Sequence, residues 1–367
     1  MTDTRVPLRL SDAPRSDDGH YGPDSISWRV FSDPASGLGA KNALFLQMLE
    51  PGMMTHFDRV SLTSEGADEM AARFDRTAAY LRDSVFADTA HADAATKRVD
   101  HLHEMATWTN PETGEAEEAK QPEWMRWTWW TYIWSAVRGY QEFGPGLSVA
   151  DADRLVMESH IGADKLHVPG PHLETFAAVD QYVTEGLDTK ALTIFAAMAG
   201  RSLRHPDAKG PVARWVTRQI LNGVLSLLPD KAKLFFAVED RSAKEFARGA
   251  RFTKLVATLA RKNRTAEDLI AQAIGESVAA PYQRVRVKKP KPRRLPDAST
   301  ARPHAVPQPG SAPGRGLPTC GALHTVFRAP QVRAGQGRSM AECRGAAGGA
   351  RGPAPRLCAI YIVCATH

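Results

Sequence analysis

Two histidines stand two residues apart in "KRVDHLHEMATWTNPETGE", Lys97 to Glu115. Imidazole ligates metals and moves protons near neutral pH, so the segment poses a choice between His101 and His103. On one helix over residues 92–106, at 100° per residue, Ala95, Val99, Leu102, His103 and Ala106 fall within roughly 100° of arc. His103 therefore belongs to the apolar stripe. His101 lies across the helix beside Asp100 and reads as a solvated residue. An imidazole that faces an apolar core needs a partner for each nitrogen, or a metal or cofactor that takes one of them. This helix alone leaves a satisfied core histidine as the plainer alternative.

The preceding amphipathic stretch, "EGADEMAARFDRTAAYLRDSVF", carries Met70, Phe74, Ala78 and Leu81 on one face. Thr77 shares that face, Arg73 sits at its margin and Arg76 points away. A hydroxyl and an arginine beside an apolar surface suit a buried anion or a polarised ligand. They equally suit an arginine snorkelling to water and a threonine bonding back to its own helix.

Both stretches need a body to position them, and charge divides the chain into one. Of its 47 Lys+Arg and 41 Asp+Glu, residues 285–367 hold 14 and 2, so the first 284 residues are acidic and the rest strongly basic. This argues against specific nucleic-acid binding by the body and leaves the tail free to touch anionic partners. All four cysteines (Cys320, Cys343, Cys358, Cys364) lie in the tail, so the body relies on no disulfide or thiolate site. The N-terminus lacks an apolar signal region and no run of 18 apolar residues occurs, which predicts a cytoplasmic protein without a transmembrane segment.

Residues 1–23 are polar and read as a disordered arm; residues 24–284 show helical periodicity almost throughout and predict a single all-α domain. Helix starts are expected at Ser64, Ser148, Pro171, Pro211 and Thr265, with a turn at "FGPG", Phe143 to Gly146. Residues 285–367, rich in Pro, Gly and Arg, predict a disordered basic tail. Trp124, Trp127, Trp130 and Trp134 recur at helical spacing; they read either as the wall of an apolar channel or, more simply, as core. His160, His167 and His172 lack a compact ligand spacing and read as surface histidines.

Taken in order, "SWRVFSDPASGLGAKNALFLQMLEPGMM" from Ser27, "RFDRT" from Arg73, "KRVDHLH" from Lys97 and "LLP" at Leu227 to Pro229 resemble the DUF2236 family. This is the helical haem-b domain shared by latex-clearing (rubber) oxygenases and the mycophenolic-acid-pathway oxygenase, and the likeness runs from about Asp24 to Tyr282. The resemblance implies haem b as cofactor, with His103 as the proximal iron ligand. It also implies Arg73, Arg76 and Thr77 as the distal-side motif and Arg98 as the arginine five residues before the ligand. By the same likeness Arg73 polarises dioxygen with support from Thr77, and Arg76 or Arg98 pairs with a haem propionate. Dioxygen and a small apolar substrate, alkene or isoprenoid-like, are the implied partners.

The sequence departs from relatives in three places. Arg76 stands where some have lysine, and a guanidinium stays protonated and cannot ligate iron. "WTW" at Trp127 to Trp129 replaces a Trp-Val-His. Glu50 in "LEPG" replaces a frequent histidine and reads as a base or a surface carboxylate. The rival to an oxygenase is a non-catalytic haem-binding or helical interaction protein.

Overall fold

The computed structural model describes residues 15–60, 67–205, 208–238, 241–262 and 264–277, with side chains unassigned at 67–72, 74, 276 and 277. The expected tail, and the expected helix start at Ser64, lie outside the described residues. The body is all-α, as the periodicity predicts.

Three short helices open it: α1 (Ile26–Phe31), α2 (Pro34–Gln47) and α3 (Pro51–Val60). A helical hairpin follows, α4 (Ala67–Phe86) and α5 (Thr89–Met105), and then a two-stranded antiparallel ribbon, β1 (Thr107–Thr109) and β2 (Ala116–Glu118). The long α6 (Pro122–Phe143) leads to α7 (Val149–Lys165), α8 (Phe176–Gly186) and α9 (Ile194–Arg204). The chain finishes with α10 (Pro211–Ser226), α11 (Asp230–Phe235), α12 (Ala243–Arg261) and α13 (Ala266–Ser277).

Helix α6 is the axis of the core. It packs along α2 with almost no space between backbones, because glycines meet there: a Cβ on Gly39 would sit 2.7 Å from the Gly139 Cα. Trp127, Trp130 and Trp134 are 1%, 0% and 2% exposed, so the plainer reading of the tryptophan run is the correct one for these three. Trp127 Nε1 donates to the Leu46 carbonyl at 3.0 Å and Trp134 Nε1 to Asp180 Oδ1 at 2.7 Å, which removes most of the cost of burying an indole N–H. Glu50 is buried rather than on the surface, and it holds Lys190 at 2.5 Å beneath the Trp127 ring.

Local signals explain most helix ends. Ser148 accepts from the Asp151 N–H, Pro211 opens α10, and Thr265 exchanges hydrogen bonds with Asp268. Pro171 does not open a helix: α8 begins five residues later at Phe176, where the Thr175 hydroxyl accepts from Ala178 N–H. The intervening turn is held by side chains, with His160 Nε2 on the Leu173 carbonyl at 2.7 Å and His172 Nε2 on Asp164 at 2.8 Å. Those two histidines are half-buried with rings 5.0 Å apart, both near Trp130, so only His167 of the three is a surface residue.

The segment before α1 is pinned to the bend of the α4–α5 hairpin. Arg15 donates to the Phe86 carbonyl at 2.6 Å, Ser16 N–H to Asp88 at 2.8 Å, and His20 meets Asp93 at 2.9 Å. Trp28 adds an indole bond to the Val85 carbonyl. Residues 15–23 thus belong to the folded body and fix the hairpin's closed end.

Candidate functional site

The hairpin's symmetry brings the two chemical segments together. Asp88 caps α5 by accepting from the His91 N–H, so the chain reverses within two residues and α4 and α5 run antiparallel. Residues equidistant from Asp88 then lie across from each other. Tyr80 and Thr96, each eight positions away, are within hydrogen-bonding reach, and Arg73 and His103 are each fifteen away. Arg73 indeed acts on the His103 imidazole electrostatically.

His103 is held neutral. Burial lowers its pKa from 6.5 to about 4, the positive charge of Arg73 pushes the same way, and Asp100 opposes them only in part. Its Nδ1 is buried without a hydrogen-bond partner among the described residues. A neutral imidazole with one nitrogen orphaned in the protein costs free energy unless some group engages the ring. His101, by contrast, is 51% exposed with Nδ1 3.6 Å from Glu104.

Arg73 is accessible to solvent, yet surrounding protein and then Arg76 pull its guanidinium down to about 10. Its guanidinium lies 4.1 Å over the Phe57 ring, and Phe57 meets Phe195 of α9 at 5.8 Å. Ile194 and Met198, on the same helix as Phe195, are 84% and 66% exposed. Among the described residues, the guanidinium of Arg73 thus has an aromatic face on one side and the charge of Arg76 acting on it.

The other candidates are placed less tightly. Thr77 donates back to the Arg73 carbonyl at 3.0 Å and is exposed, while Arg76 is half-buried. Arg98 approaches Asp83 at 4.0 Å; burial raises that carboxyl to about 6 although Arg82 and Arg98 oppose it. Met70 and Phe74, expected on the apolar stripe of α4, lie outside the described side chains.

Sequence reasoning missed a supporting set on α3 and the ribbon. His56 is 3% exposed; its Nε2 bonds the carbonyl of Ala106, the residue that ends α5, at 2.9 Å. The ring packs 5.5 Å from Trp124, which is thereby drawn out of the core tryptophans and toward the end of α5. Arg59 bonds Glu117 at 3.2 Å, and Lys120 meets Asp100 at 2.7 Å. The ribbon is folded by Asn110, whose side chain accepts from Glu112 N–H, and by Gly114 at φ 74°. It ties the His103 end of α5 to α3. A helical wheel of "PGMMTHFDRV" would have put His56 with Met53 and away from Asp58, and this was the available signal.

Fold and site together define an all-α protein in which a helical hairpin brings a neutral imidazole and a guanidinium to the same open end. Residues 28–261 match the family described as ER-bound oxygenase mpaB/B'/Rubber oxygenase, catalytic domain; the chain belongs to this oxygenase family. No curated protein and no solved structure is significantly similar to the chain.

Proposed function

We propose that the protein is a haem-b-dependent oxygenase of apolar substrates, with His103 as the iron ligand. The observation that carries this reading is the state of His103: neutral, its Nδ1 without a partner among the described residues, and in the positive field of Arg73. Metal ligation needs an imidazole without a proton on the ligating nitrogen, and a pKa near 4 supplies that at every physiological pH. A metal-bound histidine also needs its second nitrogen fixed, and Asp100, one turn before His103 and acting on its charge, is a carboxylate that could do this.

The roles follow from what each side chain can do. His103 and Arg98 hold the cofactor, Arg98 as a cation for a propionate, with Asp83 keeping it extended from α5. Haem b supplies dioxygen activation when bound. Arg73 cannot ligate iron but donates several N–H groups in a fixed fork, which suits it to steady negative charge developing on oxygen. Thr77 is assigned on the family likeness alone, since its hydroxyl bonds back to the Arg73 carbonyl of its own helix, and Arg76 adds positive charge beside Arg73. Phe57 and Phe195 exclude water and accept an alkene or isoprenoid-like chain.

Oxygen consumption by haem-loaded protein, followed with an electrode while isoprenoid alkenes are added, tests the proposal. Substrate-dependent uptake is expected. A haem-loaded protein that consumes no oxygen with any apolar alkene would assign the chain to non-catalytic haem binding instead.

A further inference from the structure

Away from the hairpin, α10 and α12 form an antiparallel pair whose inner faces are locked by small residues. A Cβ on Gly249 would sit 2.6 Å from the Gly223 nitrogen, and Thr253 and Ala257 are fully buried. The outer faces are composed differently from the rest of the body. On α12, Lys244, Arg248, Arg251, Phe252, Leu255, Leu259 and the capping Lys262 fall within roughly 100° of arc. Leu255 and Leu259 are 52% and 56% exposed.

From α10, Trp215 is 50% exposed and stands edge-on to Phe252 with centroids 5.0 Å apart, joining the two helices into one surface. Val212, one turn earlier, is 73% exposed. The two helices contain seven Lys or Arg and a single acid, Glu245, which is engaged by Arg218. Arg214, Arg248, Arg251 and Lys254 form no ion pair among the described residues. A concentration of exposed cations on a body whose first 284 residues are net acidic is a local feature that bulk composition does not explain.

We infer that the α10–α12 face docks onto an anionic lipid bilayer, with Trp215, Leu255 and Leu259 entering the headgroup boundary and the surrounding cations meeting lipid phosphates and carboxylates. Charge and apolarity together select this occupant. A second copy of the same face would set cations against cations. Nucleic acid would satisfy the cations but leave two leucines and a valine facing a sugar-phosphate surface. A bilayer interface satisfies both groups, since aromatic and aliphatic side chains enter it while Lys and Arg reach anionic headgroups. The surface is independent of the proposed chemistry at His103.

The test is sedimentation of the full chain with vesicles of phosphatidylcholine alone or with added phosphatidylserine, beside Leu255→Glu/Leu259→Glu and Arg248→Gln/Arg251→Gln. Binding to the serine-containing vesicles is expected, weakened at least about tenfold by either pair of changes and by high salt. Brominated acyl chains in those vesicles should quench part of the tryptophan fluorescence, and Trp215→Phe should remove that part. Circular dichroism confirms that each variant is folded, and the mild Trp215→Phe change decides the matter should the double variants unfold. Three results would overturn the inference: vesicle binding that every face variant retains, which assigns it to the basic tail; no vesicle binding; and binding of duplex DNA or self-association that is lost with the same substitutions.

Discussion

Helices α5 and α6 carry the most conspicuous side chains of the body, histidines on one and five tryptophans on the other, and they leave them in opposite states. On α6, Trp127, Trp130 and Trp134 disappear into the core, and two of the three indoles find an acceptor. On α5, His103 is half-buried, kept neutral near a guanidinium, and left with an Nδ1 unmet among the described residues. Trp130 Nε1 is left unmet like His103 Nδ1, but an indole carries no charge and ligates no metal, whereas a neutral imidazole can do so. A residue that the fold makes costly without satisfying it is the better candidate for chemistry.

The contrast can be broken at either helix. Trp130→Ala on α6 should cost about 3–5 kcal/mol in chemical denaturation, the penalty for emptying a fully buried aromatic site. It should leave cofactor content per folded molecule unchanged. A loss below about 1 kcal/mol would mean that α6 is not the axis of the core. On the other side, Arg73→Leu should lower substrate-dependent oxygen uptake by roughly 10²–10³-fold with stability nearly unchanged, since the side chain is accessible and its proposed role is to steady charge that develops during reaction. Unaltered uptake would move Arg73 out of the reacting region.

Protonation sharpens the comparison. In the unfolded chain a histidine titrates near 6.5, whereas His103 in the fold titrates near 4. Between these values the unfolded state binds more protons, so stability is complete above the unfolded pKa and is lost as pH falls through this window, by on the order of 3 kcal/mol for this group. Asp83, raised to about 6 by burial, has the opposite sign: its cost is absent at low pH and grows as pH rises through about 4 to 6. Comparing unfolding of cofactor-free wild type and His103→Leu across pH 4–7 isolates the histidine. The variant should show a shallower loss toward pH 4, and identical slopes would contradict the burial of a neutral imidazole. The smallest effect belongs to His101→Ala, expected within about 0.5 kcal/mol of wild type and without influence on oxygen uptake.

Much of this was legible beforehand because it depends on short-range pattern. The 3.6-residue period separated His103 from His101, and the cap residues at Ser148, Pro211 and Thr265 begin their helices as expected. What was not legible depends on tertiary placement. Pro171 carries the right residue for a helix start, but the turn it occupies is fixed by His160 and His172 reaching across it, which no local signal records. Glu50 could be read as a surface group only while Lys190, far along the chain, was not known to lie beside it. His56 went unnoticed because its role is to bond a carbonyl fifty positions away.

The most direct measurement is the visible absorption spectrum of the full chain beside its His103→Ala and His101→Ala variants, each produced with added haem precursor. A Soret band shared by wild type and His101→Ala, and lost or shifted in His103→Ala, is the expected result. A band that persists unchanged in His103→Ala, or that none of the three proteins carries, would contradict the assignment and return His103 to being a buried histidine of a helical core.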